Sequence, residues 1–258
     1  MMQITAIPTF RDNYVWALHG EWSGTSVAVL VDPGEPGAIL SWLLARKTRP
    51  IAILVTHHHA DHVGALETLC QRWPMPVFAP RKEAIVGTTH AVAEGDEVLV
   101  PELGLNFKVW ETPGHTRGHV CYLGHGNLFS GDTLFSCGCG RLFEGSAAHM
   151  HASLQRLATL PPETRVYCAH EYTLPNIGFA RELEADNPAL EVRYQEARAR
   201  RKAKQPTLPS SMARELATNP FLRCHIPAVR AALEAHFRRT LADETEAFAL
   251  LRQWKDVY

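Results

Sequence analysis

The stretch Thr56-His57-His58-His59-Ala60-Asp61-His62 brings four imidazoles and one carboxylate into seven positions. Donors at that density suit a cation: imidazole matches zinc, iron and manganese, and a carboxylate widens the range to harder ions. The bland reading is a solvated loop that happens to be rich in histidine. Against it stands the apolar run Ile51-Ala52-Ile53-Leu54-Val55 immediately before the donors, which reads as a strand that aims them. Three later segments repeat the arrangement. His115 and His119 follow the strand-like residues 105–110, Asp132 follows 127–130, and His170 follows 165–167. Each segment is weak evidence alone. Together, and in this order, they describe several strands delivering ligands to one edge of a sheet.

The elements that would carry these residues are legible in the apolar pattern. Residues 15–18, 27–31 and 51–55 read as strands separated by turns such as Asp32-Pro33-Gly34. Helical spacing is found over 38–46, 63–72 and roughly 149–160. Strands and helices mixed in this way predict an α/β sandwich with sheets inside and helices outside. From Asn176 onward no strand is expected, only amphipathic helices interrupted at Pro188, Pro206, Pro209, Pro220 and Pro227. The last helix has Asp243 as its N-cap, with Glu244 and Glu246 in the first turn to suit the helix dipole. Ala247, Leu251, Trp254 and Tyr258 recur along it at helical spacing and predict one buried face.

Composition narrows the partners. The 258 residues, 46% hydrophobic, suffice for a sizeable core, and a net charge of −1 argues against a polyanion as the main partner. The N-terminus lacks a charged segment followed by a long apolar one, and no apolar run reaches membrane-spanning length, so a soluble, cytoplasmic protein is expected. The six cysteines (70, 121, 137, 139, 168 and 224) show no disulfide framework. Cys137-Gly138-Cys139 is not a CxxC redox pair and reads as a tight glycine-supported loop. The basic run Arg198, Arg200, Arg201, Lys202 and Lys204 reads as a solvated helix face; without aromatic interleaving or overall positive charge it does not suggest nucleic acid.

The order THHHADH, TPGHT, GDT and AHEYT resembles that of the metallo-β-lactamase-fold hydrolases. Residues 134–145, LFSCGCGRLFEG, and 251–256, LRQWKD, are similar to the glyoxalase II (hydroxyacylglutathione hydrolase) family. The likeness covers essentially the whole chain. It implies an αββα sandwich over residues 1–173 and a small all-α substrate-binding domain over 174–258. It further implies two divalent metal ions, zinc first with iron or manganese as alternatives. His57, His59 and His115 would hold one ion, Asp61, His62 and His170 the other, with Asp132 shared. The alternation of an extended chain agrees, since His57 and His59 point one way and His58 the other. A water held between the ions and deprotonated to hydroxide, with Asp61 and Asp132 among its surrounding ligands, would attack the thioester of S-D-lactoylglutathione. The products are D-lactate and glutathione, a step of methylglyoxal detoxification. A thiolate is a weak base, so no protein acid is required.

The same likeness places glutathione against Arg141, Tyr172 and the C-terminal pair Arg252 and Lys255. Phe143 stands where relatives can carry tyrosine. Asp32, ending Val29-Leu30-Val31-Asp32-Pro33, reads either as a turn-former before proline or as a carboxylate that orients the metal-binding loop; His119 is open between such a role and a structural one. Rival readings are a glutathione-persulfide dioxygenase with a single iron, a lactonase, a tRNA-processing nuclease and, outside enzymes, a structural or metal-storing zinc protein. A storage site is closed by four protein ligands, whereas seven ligands for two ions leave room for water and substrate. A monomer with a small-molecule substrate is the expectation.

Overall fold

Apolar and β-branched residues fill the first strands of the computed structural model, which describes residues 2–258. Its contacts group the chain into two units: residues through Glu111 with Gly118–Gly131, and Thr112–Arg117 with Asp132–Tyr258. In the first unit β1 (Gln3–Thr9), β2 (Asn13–Trp22) and β3 (Thr25–Val31) form an antiparallel meander. Trp22 pairs with Thr25, and the two turn residues Ser23 and Gly24 both take positive φ (48° and 76°), as a tight hairpin requires. Helix α1 (Pro36–Ala45) starts on a proline, whose fixed φ suits the first turn, and carries the chain over to β4 (Arg49–Leu54), parallel to β3. Ile39, Trp42 and Leu43 of α1 join Leu30, Ile53 and Val55 in one buried cluster. Strands β3 and β4 are buried almost throughout, hence their near-continuous apolar runs.

The donor-rich stretch follows β4 and enters two short helices, α2 (Ala60–Val63) and α3 (Leu66–Arg72). The single helix expected over 63–72 is therefore divided. Gly64 packs so closely that a Cβ there would lie 2.4 Å from the Gly34 carbonyl oxygen, and the Ala65 N–H donates to Pro33 O instead of continuing the helix. Two short parallel strands, β5 (Val77–Pro80) and β6 (His90–Val92), complete the first sheet in the order β1-β2-β3-β4-β5-β6. A second sheet of the same unit is antiparallel: β7 (Glu97–Val100), β8 (Leu105–Glu111), β9 (Val120–Gly124) and β10 (Asn127–Gly131). Tyr122 on β9 ties it to the first, donating its hydroxyl to Val55 O (2.8 Å) and Phe78 O (3.2 Å).

The second unit opens with the hairpin β11 (Leu134–Phe135) and β12 (Gly138–Cys139), then α4 (Ala147–Ala158), β13 (Arg165–Cys168), α5 (Thr173–Leu183) and α6 (Pro188–Lys202). It ends with β14 (Ser210–Ser211), α7 (Met212–Thr218), α8 (Pro227–Phe237) and α9 (Glu244–Val257). The two-residue β14 corrects the expectation of no strand after Asn176; it pairs with β13 through Arg165↔Ser211 and Val166↔Ser210. Two residues carry no apolar period, which is why the pattern hides them. Asp243 caps α9 by accepting the Glu246 N–H at 2.8 Å. Ala247 and Leu251 are fully buried, but Tyr258 is 57% exposed because it lies beyond the helix end, outside the buried stripe it was assigned to. Among the described residues no helix is long and apolar enough to cross a membrane.

Candidate metal and substrate site

The donors of the first unit lie on a strap after β4, which carries His57 and His59, and on the short helix α2, which carries Asp61 and His62. Thr56 starts the strap, and Asp32 fixes that start: its carboxylate accepts the Thr56 N–H (2.7 Å) and hydroxyl (2.8 Å), and Oδ2 lies 3.1 Å from His62 Nδ1. Asp32 is buried and takes a left-handed backbone (φ 52°), a conformation that costs a non-glycine residue about 1 kcal/mol and that these contacts offset. The Thr56 hydroxyl in turn meets His57 Nδ1 at 3.0 Å, which turns His57 Nε2 toward His59 Nδ1, 3.1 Å away. The His62 ring is centred 4.0 Å from that of His57, and His62 Nε2 lies 3.5 Å from Asp61 Oδ2. His57 and His62 are fully buried, whereas Asp61 keeps 38% of its side chain exposed and accepts the Asn13 amide at 2.8 Å. His58 faces away, with Nδ1 3.0 Å from Glu83 Oε2.

Three buried or half-buried imidazoles beside a carboxylate form a donor set that fits a divalent metal. Ring nitrogens crowded at such distances are costly unless a cation or a shared proton lies among them. His119 stacks on His57 (5.0 Å, 29°) and is wholly buried, so it braces a donor. Gly131 allows this; a Cβ there would lie 2.4 Å from Thr56 Oγ1 and 2.6 Å from His119 Nε2.

The second unit holds His115, Asp132 and His170. His115 Nε2 and His170 Nε2 lie 3.5 and 3.3 Å from the same atom, Asp132 Oδ2. A carbonyl can only accept, so the 2.8 Å contact between His115 Nδ1 and Arg141 O places the proton on Nδ1 and directs the lone pair of Nε2 toward Asp132. Position 140 has to be glycine, because a Cβ would lie 2.0 Å from Asp132 O. His170 stacks flat on Tyr172 (4.8 Å, 7°), and Phe135 meets both rings edge-on.

His115 and Asp132 also line a cavity of about 470 Å³ whose wall includes Arg141, Phe143, Tyr172, Arg252 and Lys255. All five residues assigned to substrate from the sequence thus share one cavity with two of the donors. Arg252 is 5% exposed and engaged: Nη1 donates to Cys139 O (3.0 Å), and Nε and Nη2 reach Asp256 Oδ1 (3.1 and 3.0 Å). Arg141 lies 3.4 Å from the same Asp256 oxygen. Burial, then the charges of Arg252 and Arg141, hold the Lys255 ammonium below the usual lysine range. Phe143 is 64% exposed and packs edge-on against His115.

The hairpin that supplies Phe135 and Cys139 is locked from beneath. Glu215 Oε2 accepts the Cys137 N–H (2.8 Å), Asn219 donates to Phe135 O and Gly138 O, and the fully buried Glu215 pairs with Arg193. Burial pushes the Cys137 thiol up to about 12 and that of Cys139 to about 11, so both are packing groups in a tight turn. Sequence reasoning overlooked Asn13, Glu83, Asp256 and this network. Of these only Asp256 left a trace, four residues after Arg252 on one helix. The basic run is largely exposed on α6, with Arg201 3.6 Å from Glu171.

Residues 15–170 match the family model of the metallo-beta-lactamase superfamily, and residues 171–258 match that of the hydroxyacylglutathione hydrolase C-terminus. The hydroxyacylglutathione hydrolase of Xanthomonas campestris pv. campestris is 50% identical over 258 residues, covering 100% of this chain and 99% of the relative. That of Nitrosomonas europaea is 48% identical over 256 residues, 99% and 96% of the two chains. Among solved structures, ETHE1 from Myxococcus xanthus superposes with a TM-score of 0.67 at 25% identity, covering 98% of this chain and 90% of that one. The BLEG-1 B3 metallo-beta-lactamase gives 0.63 at 23% identity, covering 85% and 99%, a likeness of fold. With about half its residues identical over its whole length, the chain belongs to the hydroxyacylglutathione hydrolase family of the metallo-β-lactamase superfamily.

Proposed function

We propose that this protein hydrolyses S-(2-hydroxyacyl)glutathione thioesters, with S-D-lactoylglutathione as the reference substrate, using two divalent metal ions. The observation that carries the reading is the cavity of the second unit, where two metal-donor side chains and three cations line one space. His57, His59 and His115 would hold one ion, Asp61, His62 and His170 the other, and Asp132 would serve both. Bound there, such ions lower the pKa of water from about 16 toward 7 and polarise a carbonyl oxygen.

The chain's own residues orient and bind. Thr56 and Asp32 fix the tautomer and aim of His57; the Arg141 carbonyl does the same for His115. Arg141, Arg252 and Lys255 form a cluster of positive charge only partly balanced by Asp256, and an anionic tripeptide relieves that imbalance. Tyr172, fixed by its stack on His170, offers an aromatic wall to the thiol half of the substrate. No side chain need protonate the departing thiolate, a weak base (thiol pKa about 8.5) that can leave as the anion and take its proton from water afterwards. We assign substrate holding chiefly to residues 174–258 with Arg141, Phe143 and Tyr172, and catalysis to residues 1–173.

Hydrolysis of S-D-lactoylglutathione, followed by loss of thioester absorbance beside metal analysis of the same sample, tests the reading. Turnover with two ions per chain is expected. A protein with one iron that consumes dioxygen and a glutathione persulfide, without thioesterase activity, would overturn it.

A further inference from the structure

Glu83, on the segment joining β5 to β6, exposes 3% of its side chain, and no step above uses it. Its Oε2 lies 3.0 Å from His58 Nδ1, while Oε1 accepts the Gly118 N–H at 3.2 Å. Only glycine fits at 118, since a Cβ would lie 2.4 Å from Glu83 Cγ. A buried carboxylate is costly unless its charge is compensated, and here the compensating groups include a backbone N–H and the middle histidine of the donor strap. We propose that Glu83 is a positioning residue of the metal centre, acting through His58 to set how firmly His57 and His59 hold their ion; the inference rests on those two histidines being metal ligands.

The mechanical reason lies in the strap. In extended chain, residues 57 and 59 point to one side and 58 to the other, so rotation about the strap swings both donors together. Asp32 holds the strap at Thr56, and His59 holds its end as the extended N-cap residue of α2 (φ −59°, ψ 143°). Glu83 holds the middle from the side opposite the donors. His58 packs edge-on against His59 at 5.0 Å, so a displaced His58 is felt directly by a donor ring. The same carboxylate grips Gly118, next to His119, whose ring stacks on His57. One buried group therefore braces both flanks of the His57–His59 pair. Groups that orient a ligand without touching the ion typically change metal affinity about 10–100-fold when removed.

The test uses the zinc-loaded full chain and its variants H58A, E83A, E83Q and H58A/E83A. The rate of zinc release to a chromophoric chelator is measured, together with zinc stoichiometry at saturation and the Tm of the metal-free protein. Expected are full stoichiometry, release about tenfold faster in each single variant, and a double variant no faster than E83A, because H58A removes one of the two braces that E83A removes. A merely structural role would lower the metal-free Tm and leave release unchanged, which overturns the proposal; so does a double variant whose effects multiply. E83Q keeps the size of the side chain and one acceptor, so it reports even if E83A folds poorly. Wild-type protein that takes up no zinc would overturn the ligand reading itself and this proposal with it. Normal uptake with unchanged release in H58A and E83Q would overturn only the proposal.

Discussion

The donor strap of the first unit and the cation-lined cavity of the second solve opposite problems. In the first unit, His57 is held by the Thr56 hydroxyl and the His119 ring and His62 by Asp32, whose two oxygens also fix Thr56. Geometry there is over-determined, as a metal centre with fixed ligand directions demands. In the cavity, Arg141 is 61% exposed at its side chain and Lys255 is half-buried, and the one carboxylate Asp256 pairs with both Arg141 and Arg252. Positive charge is in surplus and partly exposed, which suits a ligand that brings its own negative charge. The strap should thus control whether chemistry occurs, and the cavity how tightly substrate is gathered.

Substitutions at the donors should break that contrast if it is wrong. Asp132→Ala is expected to abolish turnover and loosen metal, because two imidazole nitrogens converge on one of its oxygens; assay and metal analysis read both, and a fully active variant would remove Asp132 from the site. His57→Ala and His59→Ala should each cost about a hundredfold or more in kcat/KM, in line with loss of metal affinity. His58→Ala, at saturating metal, should cost less than tenfold, because its hydrogen bond to Glu83 lies on the side away from the donors and it meets them only by ring packing on His59. Equal damage at 57, 58 and 59 would show that alternation along the strap does not decide the ligands.

The fold class was legible because strands buried on both faces read as apolar runs and helices as a 3.6-residue period, and each donor cluster follows such a run. The division of the helix at Gly64 was not, since it depends on the approach of Gly34, thirty residues away in sequence. Supporting groups were the least legible. Nothing local marks Asn13 as the partner of Asp61 or Glu83 as the partner of His58; both contacts join residues far apart in the chain. Arg252 shows the limit from the other side. The sequence presents a cation near the C-terminus, but not that its guanidinium already spans Cys139 O and Asp256. It is a strut of the cavity as well as a charge.

That dual role sharpens the next prediction. Arg252→Ala with Lys255→Ala should raise KM for glutathione thioesters about tenfold to a thousandfold, at about 1.5–3 kcal/mol per charge-assisted contact with imperfect additivity. Metal content should hold, and kcat should fall much less than kcat/KM. Lys255→Ala alone should show the cleaner KM effect, because it leaves the Cys139 and Asp256 contacts of Arg252 in place. A double variant with normal KM would put the tripeptide elsewhere.

The smallest effect is the most specific to the cavity, because it follows pH with no substitution at the donors. Burial and the charges of Arg252 and Arg141 place the Lys255 pKa below that of an ordinary lysine. In the free protein the ammonium therefore loses its proton at a lower pH than exposed lysines do. A bound carboxylate favours the charged form and moves the pKa back up, so binding is strongest where Lys255 is protonated and weakens as pH rises through the lowered value. KM should then climb on the alkaline side by a few-fold, while kcat, set by the donor strap, follows a different profile. Stability carries the opposite sign from a lysine that gains a partner. With its folded-state pKa below the unfolded value, Lys255 destabilises the native state where the ammonium is charged, and that penalty fades as pH rises through the depressed pKa toward the unfolded one. Lys255→Met should flatten the alkaline rise of KM and leave the pH profile of kcat in place. An alkaline limb that survives unchanged in Lys255→Met would assign the titration to another group and leave Lys255 as a packing residue over Phe179 and Tyr258.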